Sequence, residues 1–431
     1  MVENARADVA DDAPARLVLA SPLYRGATIA LFLSGVGFSA AAPQIARFLV
    51  TELGSSLPTA GLFYLTSLTA PVAGYLVGVR SDRTGGRLGL FRVCAVVGFL
   101  GWTAIALSTK LWMPFVISAL VLGFAGAATS QLFAAIHDEA TLHPNRGNDG
   151  VVAIVRMALT AGWVVGPVAG AYLAAEVNLR TMLVMTGLCT LAQIVPLGAL
   201  RTPAQPHAAA DVPAPGNRRP PIAAMLPLLA FTGLYVLVYA GEPIKYAYLP
   251  IYMNEDLRFS PALSGTVIGI QPLVELALMP VAVIVARRIG TMRLMIVAAG
   301  FGIVANICFA TTGNAAGLIL GQTLMGGVWA IFMTLGIIVA QRLLPTAVAT
   351  ASAIFLSSSA LSSALGGLAG GLGVAAAGLP HVFLIPAVLA FAAAVGLAAM
   401  DRTTGHRLEQ TKETGRRETP TEPMMGEQTS G

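Results

Sequence analysis

The dominant pattern along the chain is a series of long apolar runs, each closed off by charged, Pro or Gly residues. They fall at roughly 24–46, 58–79, 88–108, 112–135, 151–174, 181–200, 222–246, 261–286, 292–312, 316–340, 347–377 and 380–400. Each is close to the ~20 residues an α-helix needs to cross a bilayer, so the pattern predicts an all-α membrane protein of twelve transmembrane helices. One long polar stretch, Arg201 to Pro221, separates six spans from six. The expected organisation is a tail over 1–22, a six-helix bundle over 23–200, a linker over 201–221, a second six-helix bundle over 222–400 and a polar tail over 401–431 without stable structure.

Composition sharpens this. Of 431 residues, 56% are hydrophobic and only 11% charged, against about 25% charged in soluble domains. That supply cannot cover several water-facing domains. The 46 glycines suit closely packed spanning helices. Cys94, Cys189 and Cys308 each lie in an apolar stretch without paired spacing, and read as small core residues. The first twenty residues carry Glu3, Asp8, Asp11 and Asp12, the character of a polar cytoplasmic tail and not of a cleavable signal.

The net charge of +5 raises the question of nucleic acid, and the placement of the basic residues answers it. With the N-terminus placed in the cytoplasm, thirteen Lys and Arg fall in or beside the short loops on that side, and only Arg47, Lys110, Arg180 and Arg258 on the other. That bias orients both termini to the cytoplasm, as in a bacterial inner membrane, and assigns the charge to lipid-facing topology.

The two halves read as copies. Gly166-Pro167-Val168-Ala169-Gly170 recurs as Gly366-Gly367-Leu368-Ala369-Gly370; Pro43, Leu53 and Gly61 match Pro250, Leu257 and Gly265; Arg83-Thr84-Gly85 matches Arg288-Ile289-Gly290. Two related bundles predict alternating access around a central site.

After the second span the chain reads Gly78-Val79-Arg80-Ser81-Asp82-Arg83-Thr84-Gly85-Gly86-Arg87. This resembles the loop hallmark of the major facilitator superfamily, with Gly78, Asp82, Arg83, Gly85 and Arg87 matching and Gly86 standing where a basic residue is usual. The resemblance implies that superfamily's fold, and a charge latch that closes the cytoplasmic side. Span five carries Gly162, Gly166, Pro167 and Gly170, similar to the superfamily's antiporter motif and implying a hinge and seal. The Arg expected within span four is missing from Ser118–Ala128. Ala42-Pro43-Gln44, Gly61-Leu62-Phe63-Tyr64, Gln131-Leu132-Phe133-Ala134, Trp163 through Pro167, Leu249-Pro250-Ile251-Tyr252 and Leu263-Ser264-Gly265 together resemble the bacterial sugar efflux transporters. That resemblance implies export of small sugars or glycosides in exchange for protons.

Bilayer energetics select the chemistry. An ionisable group at a span centre costs roughly 2.5–3.5 kcal/mol, so one retained there faces a cavity. Glu242, Lys245 and Glu275 meet that condition. Glu275, nearest a span centre, is either the proton carrier or a grip for substrate hydroxyls, or else it is satisfied by Gln271 one turn away. Glu242 is the second proton-coupling candidate. It pairs with Lys245 three residues on, near the expected outer end of span seven, either lining a vestibule or anchoring the interface. Sugar sites need amides, carboxylates and flat aromatic faces. The superfamily resemblance places spans one, four, seven and ten around the cavity, which nominates Gln44, Gln131, Tyr235, Tyr239, Tyr246, Gln322 and Trp329, with Gln271 from span eight. Trp163 and Tyr64 are further contributors. Arg47 and Arg156 read as anchors, Arg156 with Asp138 or Glu139 in reach. The His137-Asp138-Glu139 and His143 group reads as a solvated turn, not a metal site. No Walker loop, dinucleotide fingerprint or nucleophile elbow is present, so neither a catalytic residue nor a cofactor is expected.

The expected function is a secondary active exporter of small sugars or glycosides, working as a monomer in lipid with protons as the counter-substrate. The alternatives are a proton-coupled multidrug exporter of the same fold and a receptor or scaffold that moves nothing.

Overall fold

The computed structural model describes residues 13–145, 147–200 and 222–417, except the side chains of 82, 149, 222, 346, 348, 349 and 403–417. The expected linker over 201–221 and the outer parts of both tails lie outside the described residues.

Among the described residues, twelve helices are long and apolar enough to cross a membrane. They are α1 (Pro22–Thr51), α2 (Leu57–Ser81), α3 (Arg87–Ala106), α4 (Trp112–Leu142), α5 (Gly150–Glu176), α6 (Leu179–Leu197), α7 (Ala223–Asp256), α8 (Pro261–Ile289), α9 (Thr291–Thr311), α10 (Ala315–Leu343), α11 (Thr350–Ala377) and α12 (His381–Arg402). An even number of crossings brings the first and last spans to the same end of the bundle, here the termini end. Odd-numbered spans run from it to the far end and even-numbered spans run back. Leu120, Leu372, Val388 and Phe391 are exposed outward, as a lipid-facing surface requires.

Several edges differ from expectation. Span seven continues past residue 246 to Asp256, because Pro250 is absorbed within the helix and does not end it. Helical backbone also persists from α12 to Arg417, beyond the tail boundary expected at 400. No Pro interrupts that segment, and its Glu, Gln, Lys and Arg residues are compatible with a helix.

The duplication is visible in the packing. Ser56 and Ser260 cap α2 and α8, accepting from the Thr59 and Leu263 N–H groups, and each is followed by a Pro in the first turn. Gly85 and Gly290, at the ends of those helices, both have positive φ, 61° and 94°. Gly162, Gly166 and Gly170 of α5 lie against the α1 backbone so closely that a Cβ would stand 2.7 Å from Val36 N, 3.0 Å from Ala40 N and 2.8 Å from Ala40 Cα, respectively. Ser39 Oγ donates to the Gly162 carbonyl across this contact, 3.2 Å. In the second half Gly366 and Gly370 of α11 meet Ala240, Pro243 and Ile244 of α7 in the same manner.

The halves meet along two seams toward the far end. At one, a Cβ on Gly265 or Gly269 of α8 would press on Val168 Cα (2.7 Å) or the Val164 carbonyl (3.0 Å) of α5. At the other, a Cβ on Gly367 or Gly371 of α11 would press on the Gly61 carbonyl (2.7 Å) or the Pro58 carbonyl (2.8 Å) of α2. Tyr248 Oη donates to the Leu57 carbonyl, 3.2 Å, and Ser67 Oγ to the Ala360 carbonyl, 3.3 Å, across the second seam. The far end is therefore shut by backbone-to-backbone contact.

Gly162→Ala should destabilise the protein by about 1–3 kcal/mol, the usual cost of overpacking. Gly300→Ala, where a Cβ meets nothing within 4 Å, should leave stability unchanged or raise it; thermal unfolding in detergent compares the two.

Candidate functional site

The site begins with a break in α7. Pro243 has no N–H to donate to the carbonyl four residues back, and regular helix lapses at Ala240 before resuming at Gly241. Glu242 falls in the first turn of the resumed half-helix, where the free N–H groups and the helix dipole favour a negative charge. Discontinuous spans of this kind are a recurrent way to place charge at mid-membrane.

Below the far-end seams lies a cavity of about 210 Å³ between α5, α7, α8 and α10. Arg156, Leu159, Thr160 and Trp163 come from one half; Tyr239, Glu242, Tyr246, Gln271, Pro272, Glu275, Met279, Trp329 and Met333 come from the other. Arg156, Met279 and Met333 are its members nearest the termini end.

Glu242 is held from three directions. Lys245 Nζ donates to its Oε1 at 2.6 Å, Gln271 Nε2 donates to the same oxygen at 3.0 Å, and Trp329 Nε1 donates to Oε2 at 3.0 Å. Lys245 also donates to Gln271 Oε1, and its ammonium lies 4.7 Å from the Tyr246 ring centre. The side chains of Lys245 and Glu242 are 2% and 6% exposed, so Lys245 is an enclosed partner and not an interface anchor. The reason is the longer α7, which moves this pair from the span's end to its interior. Aromatic rings complete the walls: Tyr239 lies 4.4 Å from Trp329 and Trp163 6.1 Å from Tyr246, between ring centres.

Glu275 differs from Glu242. It lines the cavity near the middle of α8, between Pro272 and Pro280, and among the described residues it makes no hydrogen bond or ion pair. Gln271 is committed to Lys245 and Glu242, so the expected Gln271–Glu275 pairing is not made. Arg156 likewise makes no ion pair among the described residues. Asp138 is taken by Arg87 and Glu139 lies near His143, so neither serves Arg156, which turns to the cavity instead.

The structure brings Glu242, Glu275, Tyr239, Tyr246, Gln271 and Trp329 together. Tyr235 lies beside the cavity, stacked on Tyr239 with ring centres 5.5 Å apart. Gln44 and Gln322 are buried elsewhere, the Gln44 Oε1 and both Gln322 amide atoms without hydrogen-bond partners among the described residues. Gln131 accepts from Ser81 at the termini end of α2 and α4.

That last contact belongs to the loop motif. Arg87 Nη1 donates to Ser81 Oγ at 2.9 Å and Arg87 Nε to Asp138 Oδ2 at 3.0 Å, tying the start of α3 to α2 and α4. Asp138 is thus a helical residue in an ion pair and not part of a solvated turn. Gly85 supplies the left-handed end of α2; Gly78 is uncrowded, with nothing within 4 Å of a Cβ; Arg83 is exposed. The Asp82 side chain lies outside the described residues.

Two similar six-helix bundles enclosing a mid-membrane cavity, shut at one end by glycine seams, define a multi-pass membrane transporter. The sequence profile of the Major Facilitator Superfamily matches residues 27–241 and again 231–425, and the chain belongs to that superfamily. Within it, the chain is similar to a putative sugar efflux transporter of Deinococcus radiodurans, 27% identical over 380 residues that cover 86% of this chain and 96% of the relative. It is also similar to sugar efflux transporter B of Salmonella typhimurium, at 25% identity with 76% and 82% covered. Among solved structures the fold resembles the nucleoside transporter NupG (TM-score 0.73, 16% identity, 88% of this chain and 98% of that one). It also resembles a D-xylose-proton symporter (TM-score 0.68, 16% identity, 87% and 96%).

Lys245→Met leaves the Glu242 carboxylate without its cation and should cost about 3–5 kcal/mol, whereas the double change Glu242→Gln with Lys245→Met should recover most of that loss. Unfolding midpoints of the three chains in detergent give the comparison.

Proposed function

We propose that the protein is a secondary active exporter of small sugars or glycosides, exchanging them for protons by alternating access. Both termini face the cytoplasm and the membrane is of the bacterial inner type, as the bias of basic loops indicates. The shut far end then faces away from the cytoplasm, and Arg156, Met279 and Met333 lie on the cytoplasmic side of the cavity, the side from which an exporter loads.

The observation that carries this reading is Glu275, a carboxyl near mid-span with no protein partner among the described residues, on a cavity walled by aromatic rings. Trp163, Tyr246 and Trp329 offer faces for the apolar side of a sugar ring, while Glu275 accepts from its hydroxyls. Ionised Glu275 binds hydroxyl donors better than its protonated form does, so solute and proton compete for the same oxygens. Competition at one group is what exchange transport requires. Glu242 is the fixed partner of Lys245, engaged also by Gln271 and Trp329. The relatives' names point to the same substrate class. Met279 and Met333 also line the cavity and favour apolar solutes, which keeps a multidrug exporter as the second reading.

Counterflow in proteoliposomes of the purified protein should be seen with glycosides and not with lipophilic cations; the reverse result would assign a multidrug exporter, and no counterflow with either would leave a receptor. Glu275→Gln should retain counterflow and lose accumulation driven by a pH gradient, and full retention of that accumulation removes the carboxyl from coupling. Trp163→Ala should raise the half-saturating glycoside concentration by about tenfold, equivalent to ~1.4 kcal/mol.

A further inference from the structure

Three charged groups line the cavity, Glu242, Glu275 and Arg156, and Glu242 is already spoken for by Lys245 behind it. Lys245 and Glu242 are joined at 2.6 Å, and Gln271 and Trp329 also donate to the Glu242 carboxylate. Glu275 and Arg156 remain. They lie on opposite halves, Glu275 on α8 and Arg156 on α5, and line the same cavity. The other ionisable groups facing Glu275 are Glu242, Lys245 and Tyr246 of the resumed half of α7, with Tyr239 and the adjacent Tyr235 before the break; α10 brings only Trp329 and Met333 to the lining, and α9 brings nothing. Any state that shuts the termini end around an ionised Glu275 must supply a cation, because an unpaired carboxylate enclosed in low dielectric is strongly disfavoured. Lys245 is committed behind the wall. Among the described residues Arg156 is the cation that lines the cavity. It lies about two turns inside the termini end of α5, on a flexible stem.

We propose that Arg156 is a coupling residue: when the termini end shuts, it pairs with ionised Glu275 across the cavity and locks that end closed until a proton arrives from the far side. The proposal rests on Glu275 being the proton carrier. Solute leaves at the far end, Glu275 is ionised, and the Arg156–Glu275 pair holds α5 to α8. A proton from the far-side water then joins the carboxylate, the pair loses its charge attraction, the guanidinium returns to water and the termini end reopens. The lock prevents the carrier from returning empty and unprotonated, so removing it converts exchange into leak. Pro272 and Pro280, on either side of Glu275, weaken the helical ladder where α8 must move.

The test uses the full chain in liposomes with Cys94, Cys189 and Cys308 replaced by serine, and spin labels at Leu142→Cys and Ile289→Cys. Both sites are exposed at the termini end, one in each half. Raising the pH should increase the ratio of short to long distances by about tenfold, in the usual range for coupled sites. Arg156→Gln should abolish that response, as should Glu275→Gln, and Arg156→Lys should restore part of it. An Arg156→Gln chain that responds as the parent does overturns the proposal alone; a parent indifferent to pH overturns it together with the proton-carrier reading. Should Arg156→Gln fail to fold, a retained response in Glu275→Gln overturns the proposal equally.

Discussion

A charge enclosed by hydrocarbon must be answered by another charge or by a full set of hydrogen bonds. The centre of this protein is organised by that demand. Lys245 requires Glu242, Glu242 requires Gln271 and Trp329, and those requirements bind α7 to α8 and α10. In the second half, α7, α8 and α10 thereby form one wall tied together at Glu242. Against that background an unanswered carboxyl on the same wall, Glu275, stands out as the group free to react to what enters the cavity.

The glycines solve a different problem. Side chains in a shut seam interdigitate, and separating them repeatedly means moving many rotamers at once. At Gly265, Gly269, Gly367 and Gly371 the nearest facing atoms are backbone, so few rotamers must change for the halves to separate. Within each half the same residue type does the opposite work: Gly162, Gly166 and Gly170 fuse α5 to α1, and Ser39 fastens that contact with a hydrogen bond.

The count of spans and most of their edges are readable from the chain because membrane insertion acts on consecutive residues. The far edge of span seven is the exception: Pro250 lies inside the helix, where neighbouring helices compensate for it, and the added length sets Lys245 deeper than an end near 246 implies. Glu242 and Glu275 are legible from cost alone. Arg156 is not: its role depends on α8 crossing beside α5, a pairing between halves that no local pattern announces. The break at Ala240 had a signal in Gly241-Glu242-Pro243, a proline three residues into the new helix. The amides show the limit of the same logic. A mid-span Gln must find a partner, yet sequence cannot tell solute from protein; Gln131 found Ser81, and Gln271 found Lys245 and Glu242.

The spacing of Lys245 and Glu242 also matters before the protein is folded. A lone Lys or Glu entering the bilayer on a nascent helix adds roughly 2.5–3.5 kcal/mol to the insertion cost, and at that moment α8 and α10 have not been synthesised. Three residues apart on one helix, the two side chains neutralise each other from the start. The stretch over 223–254 can thus leave the ribosome and enter lipid without net charge, without waiting for the later helices that will enclose it.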